Sequence, residues 1–191
     1  MTKISCGPVE IEHPRVGSVR IRSPEPADKN RIKEFYERLS MESIYHRFFR
    51  LLRTFDEIID KMLGDETLIC LMLEKDGEVI GCSELYKTVW PDTGEPAVAV
   101  RDDYQGRGLG KLLVYSLAYC ALRAGIRKFR IYVFKENIPA IRIAFRLKSR
   151  VVQDYGDSFL LETDLEKVKK IIVSHLESVG VPLDRLAPSR G

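Results

Sequence analysis

A glycine-rich segment is the part of this chain whose residue types are best suited to binding a phosphorylated ligand. It runs Asp-Asp-Tyr-Gln-Gly-Arg-Gly-Leu-Gly-Lys over residues 102–111 and follows the short apolar run 97–100. From Leu109 onward, the apolar spacing is that of a helix. A strand, a glycine turn and a helix start together present unpaired backbone N–H groups and the positive end of the helix dipole to an anion. The segment therefore predicts a phosphate-binding loop.

The spacing of the glycines distinguishes between the known types of phosphate-binding loop. A dinucleotide-binding fingerprint needs a glycine where this chain has Lys111. A P-loop needs Ser or Thr after its Gly-Lys pair, and that position holds Leu112. The spacing that fits is Gln-x-x-Gly-x-Gly, formed by Gln105, Gly108 and Gly110. A glycine-rich turn that only caps a helix remains the alternative.

This spacing resembles the acyl-CoA pyrophosphate loop of the GNAT acetyltransferase superfamily. A second motif agrees, because a strand pattern over 128–133 is followed by Asn-Ile-Pro-Ala-Ile at 137–141, which resembles the superfamily's next helix start. Asn137 is a candidate N-cap for that helix. The resemblance implies that acetyl-CoA is bound by a defined set of positions. They are Val98, Ala99 and Val100, then Gln105, Gly106, Arg107, Gly108, Leu109, Gly110 and Lys111, and Asn137.

The hydrophobic periodicity predicts the elements that position this loop. The order β-α-α-β-β-β-α-β-α-β-β matches the superfamily over residues 19–164, which are assigned to the acetyltransferase domain. Residues 1–18 are assigned to an N-terminal arm, and residues 165–191 to a C-terminal helix and tail. The resemblance implies an α/β (α+β) fold with a central mixed, mostly antiparallel sheet flanked by helices and with strands splayed at the acyl-CoA site.

Two short segments resemble a particular branch of the superfamily. Ser-Ile-Tyr-His-Arg-Phe-Phe at 43–49 and Val-Arg-Asp-Asp at 100–103 are similar to segments of the Pat-type protein lysine acetyltransferases. That resemblance implies acetyl transfer to the side-chain amine of protein lysine by direct attack in a ternary complex, with an acyl-CoA synthetase as one acceptor. Transfer to a small-molecule amine and a non-catalytic CoA-binding regulatory module are the alternatives. A homodimer is also left open.

Acetyl transfer to an amine requires a base, because a lysine amine has a pKa of about 10.4 and is mostly protonated at neutral pH. A carboxylate near the thioester accepts that proton, usually through water. The resemblance places the catalytic carboxylate at Glu95, although an ordinary solvated charge at a strand start is the alternative. Glu84, on the adjacent strand, is the second candidate. Ala144 occupies the position at which many members carry a Tyr general acid, so the acid is left unassigned.

The composition fits one α/β domain with a mild charge. Of the 191 residues, 45% are apolar and 31% are charged, and the net charge of +3 lacks the concentrated basic stripe of a nucleic-acid-binding protein. No apolar run approaches the roughly 20 residues that span a bilayer, and residues 1–20 show no secretory signal. The four cysteines lie mostly in apolar runs, which favours a reducing cytoplasm. The three histidines lack the spacing of metal ligands, so no metal is expected.

Overall fold

The strands of the protein form two sheets, as seen in a computed structural model that describes residues 4–190. The main sheet has eight strands, and a short pair joins the two ends of the described chain. The strands are β1 (Ile4–Ser5), β2 (Val9–His13), β3 (Gly17–Arg22), β4 (Ile69–Lys75), β5 (Glu78–Lys87), β6 (Thr93–Val100), β7 (Lys128–Phe134), β8 (Arg150–Asp154), β9 (Ser158–Asp164) and β10 (Ser189–Arg190).

The main sheet has the strand order β2-β3-β4-β5-β6-β7-β9-β8. Every neighbouring pair in it is antiparallel except β6 and β7, which are parallel. This confirms the predicted mixed, mostly antiparallel sheet. The separate pair is formed by β1 and β10, also antiparallel.

Helices cover both faces of the sheet. They are α1 (Lys29–Glu37), α2 (Met41–Phe48), α3 (Asp56–Gly64), α4 (Leu109–Arg123), α5 (Ile138–Arg146), α6 (Leu165–Ser178) and α7 (Leu183–Leu186). An apolar cluster that includes Tyr36 and Met72 packs α1–α3 against one face, and a second cluster with Leu71 and Leu113 packs α4 and α6 against the other. Because both faces of β4 are covered, it reads as a continuous apolar run rather than an alternating one. Within residues 4–190, no helix has the length and apolar character needed to cross a membrane.

Two elements differ from the sequence prediction. Helix α3 lies between α2 and β4, where the predicted order had no helix. The residues assigned to an N-terminal arm contain β2, which pairs with β3 at the edge of the main sheet and buries Val9 and Ile11. The alternation Val-Glu-Ile-Glu-His is the signal for this half-buried strand. Residues 1–3 of the arm and the last residue of the tail lie outside the described residues.

Strands β6 and β7 separate along their length and open the sheet. They pair only at Thr93 with Lys128 and at Gly94 with Phe129, whereas β6 stays paired with β5 as far as Val100. The backbone of residues 95–100 therefore has a partner strand on one side only. We call the opening between residues 95–100 and β7 the notch. It is the splayed region that the sequence predicts.

Candidate active site

The glycine loop joins β6 to α4 and adopts backbone conformations that favour glycine. Gly106 has a φ of 71° and Gly108 a φ of 95°, both in the left-handed region. Gly108 is the N-cap of α4, and no side chain caps the first turn of that helix. The N–H groups of that turn have no partner within the helix and are free to bind an anion. Gly110 is different, because a Cβ there makes only ordinary contacts, at 3.7 Å from Ile143 and 3.9 Å from Val100.

The glycine loop is tied to the start of α2. Asp102 accepts hydrogen bonds from the Ser40 backbone N–H (2.9 Å), the Ser40 hydroxyl (2.6 Å) and the Ser43 hydroxyl (2.8 Å). Gln105 Nε2 donates to Ser43 Oγ and to the Val100 carbonyl, each at 3.0 Å. Two segments that carry the family resemblance are thus in direct contact. The side chain of Gln105 holds the loop in place, and its contact with acetyl-CoA stays a prediction.

Other predicted binding positions offer different groups. Leu109 is buried in the core, so only its backbone N–H is available to a ligand. Arg107 is exposed and donates a hydrogen bond to the Asp103 carbonyl at 3.0 Å. Asn137 Oδ1 accepts from the Ala140 N–H at 3.2 Å, which confirms Asn137 as the N-cap of α5. The N-termini of α4 and α5 both follow the strands that border the notch.

Cationic side chains gather beside the start of α4. The Lys111 amine lies 5.3 Å from the centre of the Tyr115 ring, and His175 of α6 meets the same ring edge-on at 4.8 Å. Burial lowers the pKa of Lys111, and Arg146 lowers it further. Burial, followed by Lys111, His13 and Arg146, lowers the pKa of His175 to about 4. Lys111 and Arg146 are thus two cations that disfavour each other, beside a neutral His175, and their positive charge suits a multiply charged anion.

Strand β2 and the turn that follows it contribute to the surroundings of the glycine loop. His13 Nε2 lies 3.8 Å from the position that a Cβ on Gly108 would occupy. Arg15 Nη1 donates to the Gly106 carbonyl at 3.2 Å, across 91 positions of the chain. Burial, with a smaller effect of Arg15, lowers the pKa of His13. The sequence prediction did not include these residues, and no local pattern links them to the loop.

Glu95 lies on the sheet face opposite to α4. Side chains along a strand alternate between the two faces. Val98 packs into the cluster under α4, whereas Ala99 packs into the cluster under α1–α3. Glu95 is an even number of positions from Ala99 and so points to the α1–α3 face. Glu95 and helix α4, which begins at the glycine loop, therefore lie on opposite faces of the sheet.

The carboxyl group of Glu95 is half-buried and faces Tyr86 of β5 across the strand pair. Burial raises the pKa of Glu95, and the positive charge of Arg47 opposes this only in part. A carboxylate with a raised pKa is a stronger base. The geometry thus fits a proton acceptor at the edge of the notch.

Glu84 has a different environment. It has no exposed surface, and its Oε1 accepts a hydrogen bond from the Tyr36 hydroxyl at 2.7 Å. Its Oε2 accepts from the guanidinium of Arg47. Because both oxygens are occupied by partners from α1 and α2, the geometry favours Glu95 over Glu84 as the base.

Aromatic rings lie across one end of the notch on the Glu95 face. Tyr45 and Phe49, at the end of α2, stack on Phe134 at the end of β7, with ring centroids 4.8 Å and 4.3 Å apart. His46 tilts against the same ring at 6.0 Å. Tyr45 and Phe49 remain 38% and 40% exposed. This arrangement leaves aromatic surface for an acceptor beside the notch.

The position at which many family members carry a Tyr general acid is occupied by Ala144, which is 3% exposed and packs with Val133 and Leu161. Tyr132 and Tyr155 form a separate, half-exposed ring pair with centroids 6.4 Å apart. Across residues 4–190, no three His, Cys, Asp or Glu side chains group as metal ligands would.

Comparisons with known proteins agree with this architecture. Acetyltransferase Pat of Mycolicibacterium smegmatis is 26% identical over 156 residues, which cover 79% of this chain and 47% of that protein. The chain thus spans about half the length of this relative. The GNAT domain of S. lividans PAT superposes with a TM-score of 0.75 at 25% identity, over 82% of this chain and 96% of that domain.

A further solved structure contains the expected donor. YncA of Salmonella typhimurium, determined with its cofactor acetyl-CoA, has a TM-score of 0.60 at 24% identity and covers 77% of this chain and 94% of its own. The model of the acetyltransferase (GNAT) family matches residues 31–146, which is more than half of the chain and includes β6, the glycine loop and α5. The chain therefore belongs to the GNAT family of acetyltransferases.

Proposed function

We propose that this protein transfers the acetyl group of acetyl-CoA to the side-chain amine of lysine in another protein, with Glu95 as the base. The observation that carries the proposal is the half-buried Glu95 at the notch, on the face opposite to α4. A donor held at the loop and an amine that enters beneath α2 meet there. The likeness to Pat supports a lysine acceptor, and an acyl-CoA synthetase is the first acceptor to test.

The donor is held by backbone N–H groups and by cations. Gly106 and Gly108 place no Cβ over the N–H groups at the start of α4, so a pyrophosphate has direct access to them. Lys111 and Arg146 lie beside the same helix start and supply positive charge for the phosphates. Both features fit the phosphate-rich end of acetyl-CoA.

The proposed reaction transfers the acetyl group from the thioester to the amine within the notch. Acetyl-CoA supplies a thioester, and the amine forms a bond to its carbonyl carbon as the carbon–sulfur bond breaks. Glu95 accepts the proton that the amine must lose, directly or through a water molecule. Backbone N–H groups of Val98–Val100 that face away from β5 donate to the negative charge that develops on the carbonyl oxygen. Water protonates the released thiolate, because Ala144 provides no acid.

The acceptor class can be tested with radiolabelled acetyl-CoA. The protein is incubated with a heat-treated cell lysate that contains both proteins and small amines, and the products are separated by size. We expect label in protein bands, stable to hydroxylamine as an amide is, and lost when the lysate's lysines are blocked beforehand. Label only in small amines would overturn the acceptor class, and label nowhere would favour a non-catalytic CoA-binding module.

A further inference from the structure

A buried network of three side chains lies beside the proposed base. Tyr36 of α1 and Arg47 of α2 donate hydrogen bonds to the two carboxylate oxygens of Glu84 on β5. Tyr36 and Glu84 have no exposed surface, and the Arg47 side chain is 7% exposed. A buried ion pair is often no more stabilising than apolar residues of the same volume. Stability alone therefore does not explain this network.

The network contacts the environment of Glu95 through Arg47. Glu84 faces Ala97, and Tyr86 faces Glu95 in the next pair along the same sheet face. Glu84 and Glu95 are thus diagonal neighbours, and residues in such positions are about 7–8 Å apart. An Arg47 nitrogen lies 3.5 Å from the Tyr86 hydroxyl. One cation is therefore within reach of two carboxylates but pairs with only one of them.

We propose that Glu84 is a positioning residue that holds the Arg47 guanidinium in an ion pair on β5, so that Glu95 has no ion-pair partner and is free to accept a proton. This inference rests on the proposed role of Glu95 as the base. Arg47 Nε is buried and has no hydrogen-bond partner among the described residues, so the guanidinium keeps a donor for a second acceptor. Without Glu84, that donor and the uncompensated charge favour the ionised form of Glu95 and weaken it as a base.

The other cations on this sheet face are engaged with partners other than Glu95. Lys61 of α3 lies over the Tyr86 ring, with its amine 5.1 Å from the ring centre. On β7, Lys128 and Arg130 are engaged with Asp92 and Glu162. Tyr86 faces Glu95 directly across the strand pair, and Glu84 and Cys82 lie on the same face of β5. Arg47 is the cation whose charge acts on Glu95 in the folded protein.

The test is a ¹³C NMR titration of the full protein labelled at glutamate carboxyl carbons, with the Glu95 signal assigned through Glu95→Gln. In Glu84→Gln we expect the pKa of Glu95 to fall by about one unit and turnover to fall with it, by up to about tenfold. In Glu84→Gln/Arg47→Met the cation is gone, so the pKa should rise to at least the wild-type value and turnover should recover. Tyr36→Phe keeps the ion pair and should change the pKa little.

Three results would overturn the inference. The first is an unchanged Glu95 pKa in folded Glu84→Gln, which indicates a purely structural role. The second is a double variant whose Glu95 titrates below the wild-type value. The double variant removes both buried charges and leaves none uncompensated. The pKa of Glu95 can therefore be measured in it even if Glu84→Gln alone does not fold. The third is a double variant that stays as inactive as the single one. Wild-type turnover in Glu95→Gln is a separate result that refutes the proposed base itself.

Discussion

Tyr86 of β5 and Glu95 of β6 are direct neighbours across the strand pair, on the sheet face that α1–α3 cover. The glycine loop follows the far end of β6 and leads into α4, which covers the opposite face. The proposed donor and acceptor sites are therefore built from different helices. A substitution on one side should change one substrate and leave the other unaffected.

Gly108→Asp tests the phosphate loop. It adds a carboxylate beside the first-turn N–H groups at a residue with a φ of 95°, so we expect acetyl-CoA binding to be lost in calorimetry. Gly125→Asp is the matched control, because Gly125 has a φ of 92°, lies at the other end of α4 and has open space around its Cβ position. It carries the same charge and backbone strain and should bind acetyl-CoA normally. Equal losses in both variants would argue against a phosphate site at Gly108.

Phe134→Ala tests the acceptor side. Removing the ring on which Tyr45 and Phe49 stack should raise KM for a protein acceptor by about tenfold, the effect of an interface side chain that contributes more than about 1 kcal/mol. The affinity for acetyl-CoA should not change. Met41→Ala, at the start of the same helix α2 and 70% exposed, is the control and should leave KM unchanged. A rise in KM for both variants, or for neither, would show that the stack does not bind the acceptor.

The stability of the protein should fall as the pH drops below 6.5. Burial, followed by Lys111, His13 and Arg146, holds the pKa of His175 at about 4 instead of 6.5. Between these values the unfolded chain binds a proton that the folded protein does not, so the free energy of unfolding decreases. Urea denaturation of His175→Gln should show a flatter dependence between pH 6.5 and pH 4. An identical slope in the two proteins would mean that His175 is not held neutral.

The sequence predicted the parts of the site that a local stretch of chain determines. The glycine loop and the Asn137 cap each depend on residues within a few positions of one another. It did not predict contacts between distant residues, such as Arg15 with Gly106 or Tyr36 with Glu84, which are 91 and 48 positions apart. Periodicity reports the face on which a side chain lies, but not which element covers it.

Because the sequence does not show contacts between distant residues, it left two carboxylates, Glu84 and Glu95, as candidates for the base. Both were expected on adjacent strands, and both lie on the same face. They differ because α1 and α2 bring Tyr36 and Arg47 to Glu84 and leave Glu95 at the notch. Helix α3 was omitted for a similar reason, since a short amphipathic segment becomes a helix only when its neighbours offer it an apolar surface. Strand β2 is different, because its alternating residues 9–13 are a local signal that the prediction did not use.

Replacement of Glu95 by Gln is the most direct test of the proposed mechanism. The change keeps the size of the side chain but removes its basicity, so turnover should fall by roughly 10²–10⁴-fold. The affinity for acetyl-CoA should stay close to wild type, and the rate should recover in part at high pH, where more of the acceptor amine is neutral. Near-normal turnover at neutral pH, or a loss that appears equally in acetyl-CoA affinity, would contradict the assignment of Glu95 as the base.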